Sequence, residues 1–394
     1  MVDTAGNATF RVVLPFAVLD VVGFALDDAD ALTSAAGDLG LVVGAQTVGV
    51  VLLMLVAGVA ADRAPRSVVL VWSNLAAAVI DGLLAVSVLA GWATIPTMMV
   101  LAFLGGGSAA MSSPAAAAIV PDTVPTDLLQ AANGLSSSAR SVVRVLSLVL
   151  GGGLAIAIGP GWGIAFNAVT FLVAAALFGS MTRRPVLRRA SSVVADLAEG
   201  VRVFVARRWA WVVVLSFLLM NAAFSGTLLV LGPLVAKSTF GEEWWGWVLA
   251  SESIGLLVAA AALSRIRHRV RLSIGMIGAA LTAPFMVTLG FSSPDIRIVL
   301  ATGVVMGLGI GYFDVAWNVS LQHHMPHDAL SRVYSVDALG SMAAVPIGQM
   351  AMGALAAVFG VATTIFWAAG LVLLLSVVTL MVRDVRRLAP SIVG

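Results

Sequence analysis

Cysteine is absent from the 394 residues, and charged residues make up only 11% of them. Without cysteine, neither disulfide bonds nor thiolate-ligated metal sites can contribute to the structure. So few charges exclude an ordinary soluble domain, in which about a quarter of the residues are charged. The chain is instead strongly apolar, with 60% hydrophobic residues and a mean hydropathy of +1.04. This composition predicts an integral membrane protein.

Chemical motifs are also scarce. No phosphate-binding loop of the form GxxxxGK[ST] occurs, and no sizeable soluble segment is available to bind a nucleotide, so ATP-driven transport by this chain is not expected. No His or Cys lies within an apolar run, so we predict no catalytic residues and no enzymatic activity. A membrane enzyme or a non-transporting receptor is the remote alternative. His323, His324 and His327 lack companions at ligand spacing, so we predict no metal site.

Eleven apolar runs are each long enough to cross a bilayer of about 30 Å as a helix. They cover 39–61, 68–90, 94–120, 133–158, 162–181, 209–231, 244–263, 272–291, 296–319, 333–358 and 361–382. The amino-terminal segment FRVVLPFAVLDVVGFAL is apolar but short, and it contains Pro15 and Asp20. We interpret it as a twelfth, incomplete span followed by an outer loop at 21–38. A cleaved signal peptide is the alternative, but the segment lacks the basic region of one.

The basic residues indicate the orientation in the membrane. If both termini are cytoplasmic, the inside segments contain 17 of the 22 Lys and Arg residues, as the positive-inside rule requires. The longest inside segment, 182–208, carries four apolar residues at helical spacing, Val193, Leu197, Val201 and Phe204. This pattern predicts an amphipathic helix on the inner membrane surface.

The two parts of the chain on either side of this linker look like repeats. An offset of 201 residues aligns Gly106 with Gly307, Pro125 with Pro326, Asp127 with Asp328 and Gly159 with Gly360. A constant offset across several spans indicates duplication, with chance matches between Ala-rich and Gly-rich helices as the alternative. We therefore predict an all-α polytopic membrane protein with an N-terminal six-helix half at 1–181, the linker at 182–208 and a C-terminal six-helix half at 209–394. Such halves are typical of transporters with a site at their interface.

A short charged turn follows the second span, in GVAADRAPRSVVL at 58–70. Its Gly58, Asp62, Arg63 and Arg66 resemble the loop signature of the major facilitator superfamily. More narrowly, the order of GVAADRAPR, LLQAANGLSSSARSVVRVL and GPGWGIAFNAVTFLVAA resembles the bacterial branch that contains the enterobactin exporter and macrolide efflux proteins. The resemblance implies the twelve-helix major facilitator fold, the bacterial cytoplasmic (inner) membrane and alternating access.

The fifth span departs from the pattern of exporters in this superfamily. They often carry Gly-Pro followed by Gly-Gly, whereas here Ser147 and Leu148 occupy the place of Gly-Pro and only Gly151 and Gly152 match. An importer or facilitator of a small solute therefore stays open as the alternative to an exporter.

Ionisable groups at membrane depth cost about 2.5–3.5 kcal/mol each, so they are candidates for function. Arg140 and Arg144 lie one turn apart in the fifth span and either hold an anionic group or, for Arg140, extend to the inner surface. Glu252 in the eighth span and Asp314 in the tenth are the predicted proton carriers, and Asn318 shares a face with Asp314. Each carboxylate has a structural alternative, a bond to a neighbouring helix.

Other polar residues are weaker candidates. The resemblance makes the third helix peripheral, which disfavours Asp81. Asp337 is close to Arg332 and is expected to form a salt bridge at the inner surface. Asn221, Gln46, Gln349 and Tyr312 either bind substrate or join helices.

These observations together predict a proton-coupled exporter of a hydrophobic or amphipathic small molecule, of the drug, macrolide or siderophore kind. The expected partners are that substrate, protons and membrane lipid, without nucleic acid, and the expected state is a monomer. We expect no cofactor, because a proton gradient supplies the energy. We expect the turn of Gly58, Asp62, Arg63 and Arg66 to gate the transporter. Its counterpart at 264–271 carries four arginines and no acid. We therefore predict an asymmetric latch, in which Asp62 gates the first half and the second half supplies mainly positive charge.

Overall fold

The computed structural model describes residues 2–23, 29–61, 66–123, 129–180, 193–265, 269–326, 329–388 and 391–392. These ranges are almost wholly helical. The first helices are α1 (Val2–Val22), α2 (Ala29–Ala61), α3 (Arg66–Leu89), α4 (Ile95–Thr123), α5 (Leu129–Ile158), α6 (Pro160–Gly179) and α7 (Val193–Val205).

The remaining part begins with α8 (Arg208–Gly226), a π-helical segment (Thr227–Leu231) and α9 (Gly232–Ser238). It continues with α10 (Glu243–Arg265), β1 (Arg269–Val270), α11 (Leu272–Ala280), α12 (Thr282–Gly290), α13 (Ile296–His324), α14 (Leu330–Met342), α15 (Val345–Phe359), α16 (Val361–Met381), α17 (Arg383–Arg386) and β2 (Ser391–Ile392). The two short strands pair antiparallel, Arg269 with Ile392.

The helices have the dimensions of membrane spans. Within the described ranges, ten helical stretches are long and apolar enough to cross a membrane, and Ile95–Met111 of α4 is a shorter apolar stretch. The predicted all-α, polytopic architecture is therefore confirmed.

The expectation for the amino-terminal region was wrong. Helix α1 is 21 residues long and starts at Val2 instead of Phe10. Helix α2 begins at Ala29, so most of the predicted outer loop at 21–38 is helical. The polar residues misled the interpretation, because Asp30 and Asp38 suggested a loop. The stretch between them is rich in Ala, which is a strong helix former.

The chain divides into two compact units. One comprises 1–189 with 241–250, and the other comprises 190–240 with 251–394. In the first unit, α2 packs on α4 and α3 packs on α6. In the second unit, α8 packs on α15, α11 on α13 and α12 on α16. The boundaries predicted at 182 and 208 stay predictions.

The glycines of the two units repeat one another in conformation. Gly159 precedes α6 with φ 89° and ψ 153°, and Gly360 precedes α16 with φ 83° and ψ 154°. These are two residues that the offset of 201 aligns, and their backbone conformation is essentially restricted to glycine.

The helix contacts repeat as well. A Cβ at Gly106 would meet the backbone oxygen of Gln46, and a Cβ at Gly307 would meet that of Glu252. In return, Gly49 contacts the Phe103 oxygen and Gly255 contacts the Val304 oxygen, with each Cβ position blocked. The crossing of α2 with α4 is thus repeated by the crossing of α10 with α13, which makes Gln46 and Glu252 equivalent residues.

Three spans of the second unit are interrupted, each four residues before a proline. Pro284 lies four residues after Ala280, where α11 ends, and Pro346 lies four residues after Met342, where α14 ends. Pro233 lies four residues after Leu229, inside the π-helical segment. Because the proline ring collides with the carbonyl four residues earlier, it breaks or widens the helix there. By contrast, α5 contains no proline and continues over 30 residues.

The linker contains the predicted helix, α7, which packs on α14. The Arg332 Nη1 and Glu199 Oε2 atoms are 3.0 Å apart, and Gly200 allows the close approach of the Arg332 backbone. Phe204 is buried, whereas Val201 is exposed. The position of α7 on the inner membrane surface stays a prediction.

Candidate functional site

A cavity of about 380 Å³ lies inside the second unit. This volume is within the range of small-molecule sites. Helices α8, α10, α11, α12, α13, α14 and α16 supply its walls, with Val213, Val214, Phe217, Met220, Asn221, Phe224, Glu252, Ala279, Thr282, Ile310, Phe313, Asp314, Trp317, Asn318, Asp337, Ser341 and Val372. Ten of these residues are apolar or aromatic and seven are polar, so the wall is mixed.

Three carboxylates from three helices converge on this cavity. Glu252 comes from α10, Asp314 from α13 and Asp337 from α14. Asp314 is within Coulombic range of both others. Among the lining residues that the structure describes, none is Lys, Arg or His. The described wall therefore carries acidic groups without a basic one.

Aromatic rings form one side of the cavity. The ring centroids of Phe217 and Phe313 are 4.1 Å apart with planes at 13°, and those of Phe313 and Trp317 are 6.1 Å apart with planes at 12°. Trp209 packs edge-on against Trp317, with centroids 5.6 Å apart. Phe313 and Trp317 are one helical turn apart on α13, and Phe217 reaches them from α8. The result is a ladder of nearly parallel rings.

Hydrogen bonds fix the polar side chains of the wall. The Trp317 Nε1 atom donates to Asp337 Oδ2 over 3.0 Å, and Ser341 Oγ lies 3.4 Å from Asp337 Oδ1. Asn221 Nδ2 donates to the Ser341 carbonyl over 3.0 Å. Asp337 therefore belongs to the cavity wall, and Arg332 forms its ion pair with Glu199. The expectation of an inner-surface salt bridge for Asp337 was wrong, because proximity to Arg332 in the sequence does not show which way the carboxylate points.

The structure brings together three of the predicted pathway residues, Glu252, Asp314 and Asn318. Asn318 Nδ2 donates to the backbone carbonyl of Asp314 over 2.8 Å. Arg140 and Arg144 belong to the first unit, on the exposed face of α5, and they are not among the lining residues of this cavity.

The predicted gating turn lies largely outside the described residues. Asp62 and Arg63 fall in 62–65, and the side chains of Gly58 and Arg66 are not described, although Gly58 is in α2 and Arg66 begins α3. The latch stays a prediction.

Three of the weaker polar candidates, Asp81, Gln349 and Tyr312, form hydrogen bonds to other segments of the chain. Asp81 is buried, and its Oδ2 atom accepts a 2.8 Å hydrogen bond from Asn167 Nδ2, which links α3 to α6. Gln349 Nε2 donates to Ser225 Oγ over 2.7 Å. The Tyr312 hydroxyl accepts from the backbone N–H of Arg271 at 3.4 Å. Asn221 is the member of this group that lines the cavity.

Sequence reasoning missed Asp337 and the aromatic ladder. The spacing of Phe313 and Trp317 places them on one face with Asp314 and Asn318 nearby, which is a signal for a lined cavity. Nothing in the sequence shows that Phe217 meets Phe313, since this contact joins residues on separate helices.

Comparison with protein families decides what kind of protein carries this cavity. Residues 2–294 and 245–392 match the model of the Major Facilitator Superfamily. The chain belongs to this superfamily. The predicted family is thus confirmed, and the narrower resemblance to the enterobactin exporter and macrolide efflux proteins stays a prediction.

One superfamily relative is the uncharacterized MFS-type transporter y4rN of Sinorhizobium fredii (strain NBRC 101917 / NGR234). It is 25% identical over 272 residues, which cover 67% of this chain. The match spans 66% of the relative's length.

Several transporters of known structure share this fold. A D-xylose-proton symporter superposes with a TM-score of 0.69 at 14% identity, covering 99% of this chain and 97% of that one. The nucleoside transporter NupG superposes with a TM-score of 0.68 at 12% identity, covering 96% of this chain and 98% of that one. A bacterial homologue of the iron transporter ferroportin superposes with a TM-score of 0.68 at 19% identity, covering 96% of this chain and 95% of that one. These identities establish the fold alone, and the chain is a multi-pass membrane protein with a transporter fold.

Proposed function

We propose that this chain is a secondary active transporter of the bacterial cytoplasmic membrane that exports a hydrophobic or amphipathic small molecule in exchange for protons. Drug-like, macrolide-like and siderophore-like compounds are the candidate substrates, moved by alternating access. The observation that carries the proposal is the cavity of the second unit, in which three carboxylates face aromatic walls. Carboxylates are rare at membrane depth and mark ion or substrate pathways there.

The carboxylates supply the proposed coupling chemistry. Two like charges repel each other more strongly inside a protein than in water. Binding of a proton by Glu252 or Asp314 relieves this repulsion, and binding of substrate in the same cavity changes which groups hold protons. The two carboxylates thus couple proton exchange to substrate exchange.

Residues of the first unit complete the proposal. We assign Arg140 and Arg144 to the pathway, where they balance a carboxylate or hold an anionic group. We assign Gly58, Asp62, Arg63 and Arg66 to gating at the inner surface.

Export and its energy source are tested in cells with and without the gene. Accumulation of dyes, antibiotics and siderophores is measured with and without an uncoupler. Proton-driven export predicts lower accumulation in cells with the gene, and the uncoupler abolishes the difference. Higher accumulation in those cells would instead establish the alternative, an importer or facilitator.

The role of the carboxylates is tested with Glu252→Gln and Asp314→Asn, singly and combined. The matched control is Asp81→Asn, because it neutralises a buried carboxylate in the first unit while an amide oxygen still accepts from Asn167. Loss of uncoupler-sensitive transport in the combined variant, with transport retained in the control, supports the proposal. Unchanged coupling in the combined variant contradicts it.

We also propose cytoplasmic termini and a monomeric state, without cofactor or nucleic-acid partner. Because the chain has no cysteine, single cysteines report orientation cleanly. Ser391→Cys near the carboxyl end should be shielded from an impermeant thiol reagent in intact cells. Ser292→Cys in the loop between α12 and α13 should react. The reverse labelling pattern contradicts the orientation.

A further inference from the structure

The aromatic ladder and the carboxylates occupy the same cavity, and together they select a ligand chemistry. The rings of Phe217, Phe313 and Trp317 offer a broad polarisable surface. Such rings pack favourably against the hydrocarbon or aromatic groups of a ligand. The Trp317 N–H also donates to the Asp337 carboxylate, so an acidic group lies directly beside the ladder.

The acidic side chains of the wall favour a ligand of positive charge. Glu252, Asp314 and Asp337 all line the cavity, and none of the described lining residues is Lys, Arg or His. A ligand of net negative charge would add to the repulsion inside an apolar enclosure. A ligand of net positive charge relieves this repulsion.

The apolar lining sets the remaining property of the ligand. Val213, Met220 and Val372 share the cavity with the rings. They favour an occupant with a substantial hydrocarbon body over a small inorganic cation, which would require oxygen ligands on several sides.

We propose that the cavity of the second unit binds amphipathic organic monocations, such as lipophilic ammonium or phosphonium ions, with Asp314 and Asp337 facing the charge and the ladder of Phe217, Phe313 and Trp317 facing the apolar body. This inference rests on the proposed function in taking the cavity as the substrate site. It narrows the substrates of the proposed exporter to the cationic ones.

The test is binding by the purified full-length protein, measured by calorimetry in detergent at fixed pH and salt. Tetraphenylphosphonium and tetraphenylborate are the probes, because they have nearly the same size and shape and opposite charge. The wild type should bind the phosphonium at least ten times more tightly than the borate. Asp314→Asn should weaken phosphonium binding at least tenfold, and Asp81→Asn should leave it unchanged.

Two further variants keep the test independent of folding. Asp337→Asn retains an acceptor for the Trp317 N–H, and Phe217→Leu keeps an apolar side chain while shortening the ladder. Both should weaken phosphonium binding, with the helical circular dichroism of the wild type preserved. Equal binding of both probes, or full phosphonium affinity in a folded Asp314→Asn, Asp337→Asn double variant, overturns the inference.

Failure of this inference is distinguishable from failure of the proposed function. Selective binding of the phosphonium without uncoupler-sensitive export supports the cation site and contradicts the exporter. Proton-driven export of neutral or anionic compounds, with no selective binding of the phosphonium, supports the exporter and overturns the cation site.

Discussion

Gly159 and Gly360 provide a direct test of the internal repeat. Each precedes a helix of its own unit with φ above 80° and ψ near 154°. A non-glycine residue in this region of backbone space costs about 1–3 kcal/mol. Replacing glycine with alanine also restricts the unfolded chain, and this effect stabilises the folded protein by about 0.4–1 kcal/mol. We therefore expect Gly159→Ala and Gly360→Ala each to lower the free energy of unfolding by about 1–2 kcal/mol.

Steric clash does not complicate this expectation, because nothing lies within 4 Å of a Cβ built at either glycine. Gly153 is the matched control, since it also has open space around its Cβ but lies inside α5. Gly153→Ala should raise stability by up to about 1 kcal/mol, because alanine favours the helix over glycine.

The assay is equilibrium unfolding of each variant in mixed micelles, followed by helical circular dichroism. Equal losses in the free energy of unfolding for Gly159→Ala and Gly360→Ala support the internal repeat, because they show that the two glycines have equivalent roles. A loss at only one glycine, or a gain at both, would refute the reasoning, because it would mean that the paired backbone conformations do not carry equivalent strain.

Other substitutions test individual contacts. Asn167→Ala should destabilise the protein by about 1–3 kcal/mol, because it leaves the buried Asp81 carboxylate without this donor; thermal denaturation measures the loss, and an unchanged midpoint contradicts it. A double-mutant cycle between Glu199 and Arg332, by chemical unfolding, should give a coupling of only about 0.2–1 kcal/mol, since both side chains are partly exposed. A coupling well above that range would show that this pair is not an ordinary surface ion pair. Asp62→Asn should slow transport while leaving membrane insertion intact, as seen by uptake kinetics and immunoblotting of membranes; wild-type kinetics would count against the latch.

The span pattern was predictable because hydropathy acts locally. Each apolar run must satisfy its backbone hydrogen bonds within itself in a membrane, and that requirement makes it a helix. The errors lie where the local signal is mixed, as in 21–38, where acids alternate with helix-forming alanine. The breaks near Pro284 and Pro346 follow from proline chemistry, but the sequence alone does not place them, because Pro15 lies inside the continuous helix α1.

The cavity was only partly predictable. Asp314 and Asn318 are four residues apart, so their common face follows from helix geometry. Their proximity to Glu252 depends on the close crossing of α10 with α13, which Gly255 and Gly307 permit. Asp337 was assigned to the surface, because a sequence does not distinguish the face of α14 that meets Trp317 from the face that meets the linker.

The most direct test of the central claim is proton release on substrate binding. A substrate identified by the accumulation assay is added to purified protein in weakly buffered detergent solution, and a pH-sensitive dye records protons released per protein. We predict release by the wild type and by Asp81→Asn, and none by the Glu252→Gln, Asp314→Asn double variant. Undiminished release by the double variant, with substrate still bound, would contradict proton exchange at these two carboxylates.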